Sequence, residues 1–225
     1  MEEARAYEEL RVGFTAAVSH ELRTPLARLL ALLESASLPD ADTEALLAQA
    51  REQVEEMSEL VDDVLFLSEL ESGREVVALG STAALPVLED VRDRLADSAE
   101  RADVTIRIAA DAEVELPLRR RMLQIIAENL VENSIRYAGP GSTLTLSAGN
   151  GVLTAADDGR GVEEDELPRL FERFYRSDRA RASRGTGLGL AIVKHVVTAA
   201  AGEVEATGGP GHGLTVTCSF MSAPG

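Results

Sequence analysis

The sequence predicts an α+β chain in two parts, an antiparallel helical hairpin that dimerises into a four-helix bundle, followed by an α/β sandwich. Two long stretches, residues 7 to 37 and 43 to 71, carry apolar side chains at steps of three and four, the period of a helix buried on one side. Beyond about residue 76 that single period gives way to strands that alternate and helices that do not, as expected of helices laid against a sheet. Gly73 in "ESGRE" stands between them as a helix stop, so residues 1–74 form the first domain and 75–225 the second.

In helix one the apolar stripe is Phe14, Val18, Leu22, Leu26, Leu29 and Leu33. Pro25 lies inside it and lacks an N–H, so a bend is expected there. Pro39 then breaks the chain, and Asp42 with Thr43 caps helix two, whose stripe is Leu47, Ala50, Val54, Met57, Val61 and Val64. Two helices alone cannot bury both seams, and pairing two hairpins is the remedy. In the second domain Leu85 to Arg101 reads as helix, Val104 to Ala109 as an alternating strand, and Leu118 to Tyr137 as a long helix with Met122, Ile125, Ile126, Leu130 and Ile135 on its apolar side. "TLTLSAG" and "VLTAADDG" form a β-hairpin on Asn150-Gly151, a pair that accepts positive φ. Residues 159 to 186, with a helical island from Leu167 to Phe174, exceed an ordinary connection and read as a mobile lid. Leu188 to Ala201 returns to helix, and "GEVEATG" and "GLTVTCSF" close the sheet.

Bulk properties exclude several functions. A formal charge of −17, from 39 acidic against 22 basic residues, disfavours nucleic acid as a partner, since binding it needs clustered Lys and Arg. No apolar run is long enough to span a bilayer, and the acidic start "MEEARAYEEL" is no signal peptide, so this stretch is expected to be soluble. Cys218 is the one cysteine, which rules out an intrachain disulfide, and one cysteine with three scattered histidines offers no zinc site.

Three clusters carry polar chemistry in the second domain. Asn129 and Asn133 in "NLVENSIRY" lie four apart on one helical face, with Arg136 and Tyr137 a turn further on; a buried amide network explains the pair about as well as a ligand does. "DDGRG", Asp157 to Gly161, follows a strand, where a plain turn is an equal alternative. "GTGLGLAI" leads Gly185, Gly187 and Gly189 into a helix, so backbone amides and the helix dipole face a common point, an anion site. The glycine spacing is not that of a Rossmann fingerprint, and no Gly-Lys-Ser/Thr of a Walker motif occurs.

In this order, with "LFERFYR" at Leu170 to Arg176 between the second and third, the clusters resemble the N, G1, F and G2 boxes of sensor histidine kinases, within the GHKL ATPases. "FTAAVSHELRTPL", Phe14 to Leu26, is similar to that family's H-box, and the hairpin bearing it to the dimerisation and phosphoacceptor domain. The residues themselves agree. His20 falls off the apolar stripe, Thr24 shares its outward face one turn on, and a neutral imidazole held by the neighbouring Glu21 carboxylate is a competent nucleophile near pH 7. His195 and His212 match no catalytic position of the family.

The resemblance implies an ATP and Mg²⁺ site in the second domain. Asn133 is expected to coordinate Mg²⁺ with Asn129 beside it, Arg136 to meet a phosphate, Tyr137 to pack on the adenine, and Asp157 to accept from the adenine amino group where Gly159 and Gly161 let the backbone pass. Arg173 or Arg176 is expected to reach the γ-phosphate, and Gly185, Thr186, Gly187, Leu188 and Gly189 to cradle the phosphates. Asp158 stands where many members have Asn, which leaves its role open, and Ser134 stands where Ala is common, a change expected to matter little. The implied function is autophosphorylation of His20 by Mg-ATP in a homodimer, phosphotransfer to an aspartate of a response regulator receiver domain, and a phosphatase activity toward that regulator through Thr24. The implied setting is the cytoplasmic portion of a sensor anchored in the membrane by segments upstream. A GHKL ATPase that moves a clamp is disfavoured by the full H-box, and a degenerate dimeric scaffold by the intact N, G1 and G2 boxes.

Overall fold

The computed structural model describes residues 2–38, 42–71, 80–177 and 185–220, in two compact units, Met1–Phe66 and Leu67–Gly225. Pro39 and Gly73, expected to break and stop helices, lie outside the described residues, as do the surroundings of the Phe14 side chain. The chain forms a helical hairpin region and then a mixed α/β sheet domain, as the periodicity predicts.

Helix α1 (Glu2–Ala36) begins earlier than expected and continues through Pro25 as one element. Helix α2 (Thr43–Glu71) opens on Asp42, whose Oδ1 accepts from the Ala45 amide at 3.1 Å, a cap of the kind that contributes about 1 kcal/mol. The α2 stripe separates into two rows. Ala50 is buried, with Met57 and Val64 half-buried, whereas Leu47, Val54 and Val61 stand 46, 52 and 43% exposed; Leu60 and Leu67, outside the expected stripe, are buried beside the inner row. On α1, Leu26 and Leu33 are likewise exposed, at 55 and 49%, although both belong to the expected buried stripe. Burying a leucine or valine from water is worth roughly 1.5–3 kcal/mol, so these outward rows are a strong driving force for a covering surface.

The second unit is a two-layer sandwich. A five-stranded sheet runs in the order β2 (Val104–Ala110), β4 (Ser142–Gly149), β5 (Val152–Asp157), β7 (Leu214–Ser219), β6 (Glu203–Gly208). Among the described residues only the β2–β4 pair is parallel. The sheet packs against α3 (Ala84–Arg101), α4 (Arg120–Tyr137) and α5 (Gly189–Ala199), whose inner faces carry Val87, Leu88 and Val91, then Met122, Ile126 and Leu130, then Ile192, Val193 and Val196. Leu144, Leu146, Leu153 and Val216 meet them from the sheet, while Thr145, Thr154 and Thr217 alternate onto the other side. Asn150 and Gly151 take φ of 51° and 74° and close the β4–β5 hairpin as expected. Two-residue strands β1 (Thr82–Ala83) and β3 (Glu115–Leu116) pair with each other and carry too few residues to show a period. The helical island expected over Leu167 to Phe174 is a single 3₁₀ turn, Leu167–Arg169. Cys218 lies in the core, where burial pushes its thiol up to about 12, so it stays protonated and unreactive.

Candidate functional site

A cavity of about 230 Å³ opens in the second unit where α4, the loop after β5 and the start of α5 converge. Helix α4 supplies Asn129, Asn133, Arg136 and Tyr137, whose spacing of four, three and one sets all four on the face that lines the cavity. Glu132 lines it too and pairs with Arg136 at 3.7 Å. The side-chain amide nitrogen of Asn129 donates to the Ile125 carbonyl at 2.8 Å, so its oxygen is the atom left facing α5, where a Cβ on Gly189 would stand 2.7 Å from it.

Asp157 ends β5 and lies one step behind the cavity wall. Its Oδ1 accepts from the amides of Gly159 at 3.0 Å and Leu214 at 3.3 Å, and its Oδ2 accepts from the Ser134 hydroxyl at 3.2 Å. Gly161 and Leu214, on either side, do line the cavity. Asp158 turns away from it: its Oδ1 accepts from the Thr143 amide at 2.6 Å and its own amide donates to the Thr143 carbonyl at 3.2 Å, extending the β4–β5 ladder by one rung. The charge that stands in place of an asparagine therefore serves the sheet end.

The β6–β7 connection braces this loop, a role the sequence reading misses. Gly213 donates to the Gly159 carbonyl at 3.1 Å and Gly211 to the Arg160 carbonyl at 2.7 Å. Gly213 has φ of 71°, and a Cβ there would overlap the Asp157 carbonyl oxygen. The glycine density of "GGPGHG" was the available signal, since backbone can pass backbone this closely only without side chains.

The third wall comes from the F and G2 segments. Phe174, at φ of 62°, donates its amide to the Gly187 carbonyl at 3.0 Å. Gly187, at φ of 69°, would bring a Cβ to 2.9 Å from the Phe174 backbone, so its glycine identity is required by that contact. The Thr186 hydroxyl accepts from the Leu188 amide at 3.2 Å one residue before α5 begins. Thr186, Gly187 and Gly189 line the cavity, Gly185 sits against Arg136 and Tyr137, and the Leu188 side chain is fully buried. Of the two expected lid arginines, Arg176 lines the cavity and Arg173 does not. Tyr175 and Glu166, both unforeseen as site residues, also line it: the phenol donates to Glu166 Oε1 at 3.2 Å and the Arg169 guanidinium lies 4.3 Å over the ring. Burial, then the bond to Glu166, pushes the Tyr175 phenol up, so it remains a neutral donor.

In the first unit His20 has a side chain 75% exposed on α1, with Nδ1 3.6 Å from Glu21 Oε1. Thr24 is exposed on the same face. Ser19 bonds back to the Thr15 carbonyl at 2.8 Å, but the Thr24 hydroxyl has no such partner among the described residues. No group of three or more His, Cys, Asp and Glu able to hold a metal occurs among the described residues.

Residues 10–73 match the family described as His Kinase A (phospho-acceptor) domain, and residues 118–224 the family described as histidine kinase-, DNA gyrase B-, and HSP90-like ATPase. The signal transduction histidine-protein kinase BaeS of Escherichia coli is 36% identical over 93% of this chain and 46% of its own length. Among solved structures, the Acinetobacter baumannii histidine kinase AdeS superposes with a TM-score of 0.72 at 26% identity over 91% of this chain and 98% of AdeS. The histidine kinase ThkA in complex with response regulator protein TrrA shares the fold, with a TM-score of 0.75 at 18% identity over 97% of this chain and 64% of the ThkA chain. The chain spans about half the length of the curated relatives it matches.

Proposed function

The chain belongs to the sensor histidine kinases of two-component signalling, and we propose that it transfers the γ-phosphoryl group of Mg-ATP to His20 and then to an aspartate of a response regulator. The observation that carries this reading is the cavity of the second unit, where three clusters far apart in sequence meet. ATP use is supported by the match to an ATPase family.

The donor set fits the implied groups. A hard cation takes oxygen ligands, and Asn133 offers an amide oxygen beside the Glu132 carboxylate. When bound, Mg²⁺ would supply charge neutralisation on the phosphates. The amides leading into α5, with Arg136 and Arg176, hold the anion, and Arg176 rather than Arg173 is the lid arginine for the γ-phosphate. Tyr137 packs on the base and Asp157 accepts from its amino group. Phosphoryl transfer leaves the protein mainly positioning and electrostatics to perform, so the reaction requires His20 Nε2 to meet the nucleotide in line, with the Glu21 carboxylate on the side of the other ring nitrogen. Adding a cognate receiver domain to the labelled protein is expected to move the label onto the receiver, as the ThkA complex with a response regulator suggests. Label that stays on this chain with a competent receiver would contradict the transfer step.

A homodimer through the hairpin covers the outward rows on α1 and α2, and we assign residues 1–74 to that role and 75–225 to nucleotide binding. Val54→Glu, which sets a charge in the exposed row, is expected to convert the wild-type dimer to monomers with unchanged helix content, read by light scattering and circular dichroism. A folded wild-type monomer at micromolar concentration would contradict the pairing. The core is read as the cytoplasmic portion of a membrane-anchored sensor, since ATP and receiver domains lie on that side.

Thr24 is assigned to the opposing activity, hydrolysis of the regulator's phosphoaspartate by water with release of inorganic phosphate. Its uncommitted hydroxyl, one turn from His20, can orient a water toward a phosphoaspartate. Thr24→Ala is expected to keep His20 phosphorylation within about threefold and to slow regulator dephosphorylation by about tenfold or more, the lower range for one positioned contact. Unchanged dephosphorylation would leave Thr24 with no catalytic part.

A further inference from the structure

We infer that Ser134 positions the Asp157 carboxylate and thereby sets the preference of the cavity for nucleotides bearing a 6-aminopurine. The inference rests on the ATP reading above. It starts from a count of hydrogen bonds. An ionised carboxylate accepts at roughly four lone-pair positions and donates at none. At Asp157 two are filled on Oδ1, by the Gly159 and Leu214 amides at 3.0 and 3.3 Å, and one on Oδ2, by the Ser134 hydroxyl at 3.2 Å. Among the described residues no further donor reaches Asp157, which leaves one acceptor position, on the oxygen that Ser134 holds.

The two amides come from backbone whose path is fixed: Gly159 closes an Asx turn two residues on, and Leu214 begins β7. They anchor Oδ1 in any variant. The orientation of Oδ2 depends on Ser134, which is 4% exposed on α4 directly after the cavity-lining Asn133. With the hydroxyl in place, the carboxylate has one vacancy and a set torsion, so it receives a single N–H. An exocyclic amino group supplies that donor. A 6-oxo purine presents an acceptor to an acceptor, and a purine without a substituent leaves the position unfilled. In the absence of the hydroxyl, Oδ2 has two vacancies and is free to turn toward water. Ser134 is thus a positioning residue, and its replacement of the family's common alanine has a consequence that its small size conceals.

The test is nucleotide affinity of the whole chain, wild type and Ser134→Ala, for ATP, GTP and purine riboside triphosphate, which lacks the 6-amino group. Removing one oxygen from a buried serine leaves no strain, and equal melting temperatures will confirm the fold. Ser134→Ala is expected to raise the Kd for ATP about tenfold, the scale of a hydrogen bond to a charged group. The Kd for purine riboside triphosphate should stay within about twofold, and Ser134→Ala should add nothing in an Asp157→Ala background, because the two act as one unit. A shift of equal size for both nucleotides, no shift for either, or additivity with Asp157→Ala would overturn the inference. If Asp157→Ala loses the preference for ATP while Ser134→Ala keeps it, the nucleotide reading stands and this inference falls. A wild type with no preference for ATP over purine riboside triphosphate overturns the assignment of Asp157 and this inference together.

Discussion

His20→Ala is expected to abolish transfer of label from γ-labelled ATP to the protein, while the Kd for ATP changes by no more than about twofold, since independent sites seldom couple. The reason is chemical. Transfer needs a nucleophile with a free lone pair at neutral pH, and His20 has an exposed imidazole with Glu21 beside Nδ1. The remaining histidines do not replace it: His212 Nδ1 lies 3.0 Å from the Pro210 carbonyl in the β6–β7 loop, and His195 lies partly buried in α5. His20→Gln, which keeps a polar side chain and removes the nucleophile, should behave identically. Label on either variant would show that another residue accepts the phosphoryl group.

Asn133→Ala is expected to lose autophosphorylation by about 100-fold or more, the scale seen when one group stabilising transition-state charge is removed. Its helix face is held by Ile126 and Leu130 in the core, so the fold has no need of the amide. The informative control varies the metal. If the amide acts as a metal ligand, the variant should bind ATP more nearly as wild type does without Mg²⁺ than with it. Normal labelling of Asn133→Ala at saturating Mg-ATP would remove Asn133 from the metal site.

The parts of this protein that the sequence reveals are those with a local period or a local turn. Helix α4 shows its apolar positions at Met122, Ile126 and Leu130, and the same spacing places Asn129, Asn133 and Tyr137 on the cavity side. The α2 stripe is legible as apolar but not as two rows, because Leu47, Val54 and Val61 share the heptad spacing of Ala50, Met57 and Val64 and differ from them only in what covers them. Contacts between distant segments leave no period at all. The Ser134–Asp157 bond joins residues 23 apart, and the brace of Gly213 on Gly159 is backbone on backbone. The sequence reads as helix from Leu167 to Phe174, but the Phe174 amide bonds to the distant Gly187 carbonyl with φ positive at both residues, a conformation that propensity disfavours and tertiary context imposes.

The measurement that bears most directly on the central claim is the chemistry of the phosphorylated protein itself. Wild-type protein incubated with γ-labelled Mg-ATP is expected to acquire a label that is lost in acid and retained in base, the behaviour of a phosphoramidate on imidazole, and peptide mapping should place it on the α1 segment that contains His20. A label stable in acid, or hydrolysis of ATP with no label on the protein, would contradict the assignment of this chain as a histidine kinase acting through His20.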